Sequence, residues 1–139
     1  MKIMVSACLL GENCKYSGGN NRDERVLAFL EGHEVFPVCP EVMGGLPTPR
    51  PPAEIVGSEV INKEGISVDR EYRLGAQMAL EIAQKEKIDL AILQSRSPSC
   101  GVKQIYDGTF SGTKIPGSGI LAGQLIRHGF AVLDREDVE

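Results

Sequence analysis

The segment I-D-L-A-I-L (Ile88–Leu93) is almost entirely apolar, which is typical of a strand at the centre of a sheet covered on both faces. Three more short runs are predicted to be strands, namely Ile3–Ala7, Glu34–Val38 and Phe130–Leu133. Helical patterns lie between these runs. This alternation of strands and helices favours a parallel sheet with helices on both sides.

The fold is therefore predicted to be α/β, with one domain over residues 1–139 and a three-layer, Rossmann-like sheet that is mostly parallel. The longest helix is predicted to begin at Asp69 and to end near Lys87. Its apolar positions Leu74, Met78 and Ile82 repeat at helical spacing, which predicts an apolar face.

Two long segments rich in Gly, Pro and Ser are predicted to be loops. Cys39–Ala53 contains five prolines and two glycines in fifteen residues, so we expect a shaped wall without a helix or a central strand. Arg96–Pro116 is the second long loop. Between them, Ile55–Ile61 and Ile66–Val68 are predicted to form a small hairpin with Gly65 in its turn.

The composition is that of an ordinary globular protein, with 42% hydrophobic and 24% charged residues and a net charge of −4. No apolar run is long enough to span a bilayer, and the N-terminus does not resemble a signal peptide, so a cytoplasmic location is expected. Binding to free nucleic acid is not expected, because the chain is acidic, lacks Trp and contains only 5% aromatic residues.

Three of the four cysteines, Cys8, Cys39 and Cys100, follow predicted strands. The carboxyl ends of parallel strands meet at one edge of the sheet, which is where ligands bind in such folds. Taken alone, a cysteine such as Cys8 is more often a buried apolar residue. Three thiols brought to one edge, with a fourth ligand position open, indicate a reactive metal centre rather than a structural one.

The fourth cysteine, Cys14, is placed outside this ligand set. Five residues separate it from Cys8, which is not the C-x-x-C spacing of a local redox pair. A spare thiol, a resolving thiol and a structural role all remain open for it. The two histidines, His33 and His128, provide little material for a Cys–His nucleophile or a His-rich metal site.

Polar residues close to Cys39 are candidates for chemistry. Glu41 can donate or accept protons if it lies beside the metal site, although most loop glutamates are solvated surface groups. Gly44 and Gly45 would let the backbone approach a ligand closely. Arg50 is a candidate anchor for anionic or carbonyl groups, with a plain surface arginine as the alternative.

The segment S-R-S-P-S-C-G-V-K (Ser95–Lys103) surrounds Cys100 with possible donors. Ser97, Ser99 and Lys103 could donate hydrogen bonds toward sulfur and so tune its reactivity. An ordinary turn rich in Ser, Pro and Gly is the alternative interpretation.

Three strings taken together resemble the thiouracil desulfurase family, which was long known only as a domain of unknown function. They are S-A-C-L-L-G with K-Y-S-G (within Ser6–Gly18), C-P-E-V-M-G-G-L-P-T-P-R-P-P-A-E (Cys39–Glu54) and S-P-S-C-G (Ser97–Gly101). The resemblance covers nearly the whole chain, and the second string is highly specific.

The resemblance implies a [4Fe-4S] cluster held by Cys8, Cys39 and Cys100, with one iron free to take the sulfur of a thiolated pyrimidine. The implied reaction is a non-redox desulfuration that releases sulfide. Glu41 would handle protons, and Ser99, with Ser97 as second choice, would position the substrate or the attacking water.

Two departures from the family pattern bear on the substrate. Residue 94 is Gln, where members of the family often have Lys. Some relatives act on thiolated uridine in transfer RNA with the help of an added domain, and its absence here favours a free base or another small thio-compound. The rival interpretations are a non-catalytic iron–sulfur or zinc protein that senses or stores, and a cysteine-nucleophile hydrolase without metal.

Overall fold

The computed structural model describes residues 1–139, and its centre is a four-stranded parallel sheet. Short 3-10 turns follow the first and last strands. The helices and strands, in chain order, are β1 (Lys2–Ser6), α1 (Glu24–Leu30), β2 (Glu34–Val38), α2 (Pro40–Met43), β3 (Ala53–Val56), β4 (Glu59–Asn62), α3 (Asp69–Glu86), β5 (Leu90–Leu93), β6 (Gln104–Tyr106), β7 (Lys114–Pro116), α4 (Ile120–Arg127) and β8 (Val132–Asp134).

The sheet has the strand order β2-β1-β5-β8, and every pair in it is parallel. Side chains alternate along each strand, so Met4 and Leu93 pack on the face covered by α3 and α4. Ile3 and Ile92 pack on the opposite face, against α1. The predicted α/β fold, with helices on both sides of a mostly parallel sheet, is confirmed. No helix has the length and apolar character that crossing a bilayer would require.

The apolar face predicted for the long helix is wrong at two of its three positions. Leu74 and Met78 are 49% and 40% exposed, and Ile82 is partly buried. The buried stripe of α3 consists instead mainly of small residues and one tyrosine (Tyr72, Gly75, Ala76, Ala79, Leu80, Ala83). Helical spacing fits either face of such a helix, and the close approach of α2 and α4 selects the face with the small side chains.

Two features inside the predicted loops are also corrected. Pro40–Met43 is a short helix, because Pro40 occupies a position in its first turn where no backbone N–H is needed. Within Arg96–Pro116, β6 and β7 form an antiparallel hairpin. The prediction of uninterrupted loops failed because proline content alone does not exclude the start of a helix.

The small hairpin exists, but its register differs from the prediction. β3 pairs with β4 around a turn at Gly57, whose φ is +65°. Gly65 also has a positive φ and lies in a second turn. After this turn the chain pairs with β4 at a single antiparallel bridge, between Ile61 and Ser67. The turn signal at Gly65 was interpreted correctly, but the earlier one at Gly57 was missed.

Helix α2 rests on α3 through glycine. A Cβ on Gly75 would overlap the carbonyl oxygen of Pro40, and one on Gly44 would overlap the carbonyl oxygen of Glu71. The two backbones therefore lie in direct contact, and this contact fixes the position of α2 over the sheet edge.

We expect Gly75→Ala to destabilise the protein by about 1–3 kcal/mol, because the added methyl group forces α2 away from α3. The same change inside an unconstrained helix stabilises it by roughly 1 kcal/mol, so the sign itself is diagnostic. Urea unfolding followed by circular dichroism measures the effect, with Leu74→Ala on the exposed face as the matched control. A Gly75→Ala protein as stable as the parent would contradict the proposed contact.

Candidate active site

A cavity of about 510 Å³ opens at the carboxyl ends of β1, β2 and β5. The parallel register of β1 with its two neighbours brings the ends of these strands to one edge. Cys8 follows β1 in a 3-10 turn, Cys39 directly follows β2, and Cys100 lies in the loop after β5. All three line the cavity, so the structure brings together the trio that the strand ends predicted.

Cys8 and Cys100 are buried, and burial raises the pKa of both thiols, that of Cys100 to about 12. Each sulfur also has a polar neighbour. The side-chain amide of Asn21 donates to Cys8 Sγ at 3.5 Å, and Ser99 Oγ lies 3.6 Å from Cys100 Sγ. Donors of this kind stabilise negative charge on sulfur when a thiolate forms.

Cys14 lies beside Cys39 on the same cavity wall. Cys39 Sγ lies 3.7 Å from the carbonyl oxygen of Cys14, so the two cysteines are neighbours. The contact with Cys14 lowers the pKa of Cys39 to about 7, and the backbone N–H of Val42 at the start of α2 adds to this effect. The same contact and burial raise the pKa of Cys14 well above its usual value. Of the pair, Cys39 is the thiol whose surroundings favour the charged form, since it lies at the start of α2.

Glu41 is held at both carboxylate oxygens, and each oxygen has a different set of partners. Oε1 accepts from Arg50 Nε at 3.1 Å and from the Tyr72 hydroxyl at 2.9 Å. Oε2 accepts from Ser99 Oγ at 2.9 Å. Every one of these partners is a donor, so the carboxylate acts purely as an acceptor here, with one oxygen directed to Ser99.

Ser99 and Ser97 form a short chain of hydroxyl groups beside this carboxylate. Their Oγ atoms are 3.3 Å apart, and Ser97 Oγ accepts from the backbone N–H of Cys100 at 2.7 Å. Ser99 has a single hydrogen to donate, and the ionised Glu41 is a nearer and stronger acceptor than the sulfur of Cys100. The serines therefore connect the Cys100 loop to Glu41.

Arg50 lines the cavity, but its guanidinium group is already bound to the protein. Besides Glu41, it donates to the carbonyl oxygen of Cys14 at 2.8 Å and to Thr48 Oγ1 at 3.0 Å. Its side chain is only 4% exposed. The structure thus places Arg50 as a support for Glu41 rather than as a free anchor for substrate.

Three other candidate substrate-binding residues do not line the cavity. Lys103 points away from Cys100 and forms an exposed ion pair with Asp137 at 3.1 Å. Gly44 lies in the contact between α2 and α3, and Gly45 follows it in the same turn. Proximity in sequence to a cysteine does not fix the direction in which a loop residue faces, and the structure does not bring these three residues into the cavity lining.

Several cavity residues were not singled out from the sequence. Tyr72 lies on the buried face of α3, where burial, followed by the charge of Glu41, raises the pKa of its hydroxyl. Tyr16, Tyr106 and Phe110 also line the cavity, so it collects all three tyrosines of the chain. A helical pattern that included Tyr72 could have found one of them, but the other three depend on how the loops fold.

The donor set fits an iron–sulfur cluster better than a single metal ion. No three His, Cys, Asp or Glu side chains converge closely enough to hold one ion. Three thiols in the lining of one cavity, two of them buried, are the ligand type that holds iron–sulfur clusters.

The chain matches known proteins over almost its whole length. The family model for 2-thiouracil desulfurase covers residues 3–137. An uncharacterised Bacillus subtilis protein, YbbK, is 36% identical, and the match covers 98% of this chain and 97% of that protein. A solved structure of TudS, described as a [4Fe-4S]-dependent thiouracil desulfidase, is 42% identical with a TM-score of 0.93, over 99% of this chain and 92% of that chain. This chain belongs to the 2-thiouracil desulfurase family.

Proposed function

We propose that this protein removes sulfur from a thiolated pyrimidine of the 2-thiouracil type, replaces it with oxygen and releases sulfide. The observation that carries this proposal is the arrangement of three thiols and one acceptor carboxylate around a single cavity at the sheet edge. Family membership and the match to a thiouracil desulfidase of known structure support it.

Cys8, Cys39 and Cys100 would hold the [4Fe-4S] cluster, and Cys14 would remain outside the ligand set. When bound, such a cluster supplies a Lewis-acidic iron with an open position for the soft sulfur of the substrate. Asn21 would donate to the thiolate of Cys8, while Ser99, whose one hydrogen is donated to Glu41, would lie beside the thiolate of Cys100.

The net reaction exchanges the sulfur of a C=S group for the oxygen of one water molecule. Both hydrogens of that water leave with the sulfide, so no electrons are transferred. The protein must therefore accept a proton from the attacking water and return one to sulfur. Glu41 Oε2 is suited to this role, because it accepts from Ser99 Oγ at the edge of the cavity.

Arg50 and Tyr72 act through Glu41 and are positioning residues. Both hold Oε1, which leaves Oε2 directed to Ser99. A carboxylate fixed in this way does not have to reorient when it accepts a proton.

The walls of the cavity suit a flat heteroaromatic ring. Tyr16, Tyr106 and Phe110 supply aromatic surface beside the polar groups. The hairpin that carries Tyr106 and Phe110 is held by buried Glu54, which accepts from the backbone N–H groups of Gly108 and Phe110 at 2.9 and 3.2 Å. The aromatic wall is therefore a fixed part of the site.

The direct test is to reconstitute the protein anaerobically with iron and sulfide, add 2-thiouracil and follow uracil and sulfide by chromatography and a colorimetric assay. We expect equal amounts of both products, and none from the metal-free or zinc-loaded protein. Cluster absorption without uracil formation would instead support a sensor or storage protein. Turnover by the metal-free protein would indicate a cysteine-nucleophile hydrolase.

A further inference from the structure

Gln94 directly follows β5, the inner strand that leads to the Cys100 loop. Its backbone N–H donates to Ser6 Oγ at the end of β1, at 2.9 Å. This bond fixes the main chain of Gln94 between the two strands that precede Cys8 and Cys100. Its side chain lines the cavity.

The side-chain amide of Gln94 is unpaired. Its Oε1 atom is buried without a hydrogen-bond partner, and only two other buried side-chain atoms in the protein share this condition, Gln124 Oε1 and Arg135 Nε. Neither of those residues lines the cavity. A buried polar atom without a partner destabilises the folded protein, so an unpaired amide oxygen on a residue that lines a binding site indicates a partner supplied by the ligand.

The other polar groups around Glu41 cannot take this role as readily, because the protein already binds them. Glu41 accepts at both oxygens, and Arg50 donates to four protein oxygens. Ser99 donates to Glu41. Gln94 thus adds to the cavity lining one donor and one acceptor that no protein group engages.

We infer that Gln94 is a specificity-determining residue that recognises the N3–H and O4 edge of the substrate base. The inference rests on the proposed desulfuration of a thiolated pyrimidine. An amide side chain presents a C=O acceptor and an N–H donor side by side. In 2-thiouracil the N3–H donor and the O4 acceptor are adjacent in the same way. Two parallel hydrogen bonds would pair these edges and orient the neighbouring C2=S group.

The pairing predicts strong discrimination against a base that lacks the N3 hydrogen. A site built to hydrogen-bond a substrate rejects the analogue that leaves its buried polar group unpaired. We therefore expect 3-methyl-2-thiouracil to react with a kcat/KM at least about ten-fold below that of 2-thiouracil.

The test compares Gln94→Met, which keeps the length of the side chain and removes both hydrogen-bonding atoms, with Gln124→Met as the matched control. Gln124 also has a buried unpaired amide oxygen, but it lies in α4 away from the cavity. The readouts are kcat/KM for 2-thiouracil and for its 3-methyl derivative, uracil affinity by calorimetry, iron content and the thermal midpoint.

We expect Gln94→Met to lower kcat/KM for 2-thiouracil and the affinity for uracil by about ten-fold or more, and to leave the 3-methyl derivative almost unaffected. Iron content should not change, and the thermal midpoint should be unchanged or higher because an unpaired oxygen is removed. Gln124→Met should leave both kcat/KM values as they are.

Four outcomes overturn the inference. A Gln94→Met enzyme that keeps the preference of the parent for 2-thiouracil refutes the recognition of N3–H and O4. Equal losses on both substrates together with a lower thermal midpoint indicate a structural residue, and a loss of iron indicates a contact with the cluster. A parent protein that forms no uracil at all refutes the proposed function and this inference together.

Discussion

Replacing Cys39 with Ala is expected to abolish both cluster retention and desulfuration, whereas replacing its neighbour Cys14 with Ser should leave both largely intact. The two cysteines are neighbours in the cavity lining, so the variants perturb the same part of the cavity. Cys39 directly follows β2 and is one of the three strand-end cysteines. Cys14 belongs to the loop after the first 3-10 turn. A site with three cysteine ligands and one open iron requires that Cys39→Ala loses the cluster and that Cys14→Ser keeps it.

The measurement is iron and sulfide content per chain after identical anaerobic reconstitution, with the absorption spectrum and uracil formation recorded on the same samples. Circular dichroism checks that both variants are folded. We expect iron near zero and no detectable turnover for Cys39→Ala, against near-parental values for Cys14→Ser. If Cys14→Ser lost iron to the same degree, the cluster would have four protein ligands and no position for substrate sulfur.

Glu41→Gln is expected to lower turnover by about 10²-fold or more while the cluster remains bound. The amide keeps one oxygen for Arg50 and Tyr72, so the shape of the site is retained. It presents an N–H group to Ser99 where the carboxylate presented an acceptor, and it cannot take up a proton. The loss therefore reports on proton transfer rather than on packing.

Tyr72→Phe is the companion variant, because it removes one donor to Glu41 and keeps the carboxylate. It should reduce kcat much less than Glu41→Gln does and change the pH profile of kcat, which a purely structural role would not do. Steady-state kinetics across pH, with iron content as the control, separate the two variants. Turnover of Glu41→Gln within a few-fold of the parent would remove Glu41 from the mechanism.

The location of the site could be predicted from the sequence because it follows from topology. Strand ends in a parallel sheet must meet at one edge, so the cysteines after three apolar runs could be brought together without knowledge of any loop. Glu41 was found in the same way, since it lies two residues after Cys39 in a segment that begins at that edge.

The rest of the site depends on side-chain direction, which sequence spacing does not set. Lys103 is expected near sulfur from its place in the sequence, but it forms an exposed ion pair with Asp137. Tyr72 was not considered because the helix was assigned an apolar face at Leu74 and Met78. The buried face was decided by the glycine contact with α2, which is a tertiary effect that overrides helical periodicity.

The wide spacing of the three strand-end cysteines also has a consequence for biosynthesis. During translation Cys8, Cys14 and Cys39 emerge long before Cys100. The inner strand β5 is also made before Cys100. The nascent chain therefore carries the complete ligand set only after Cys100 has been made. Cluster delivery must wait for that point, and until then the early thiols are open to capture by zinc or to oxidation.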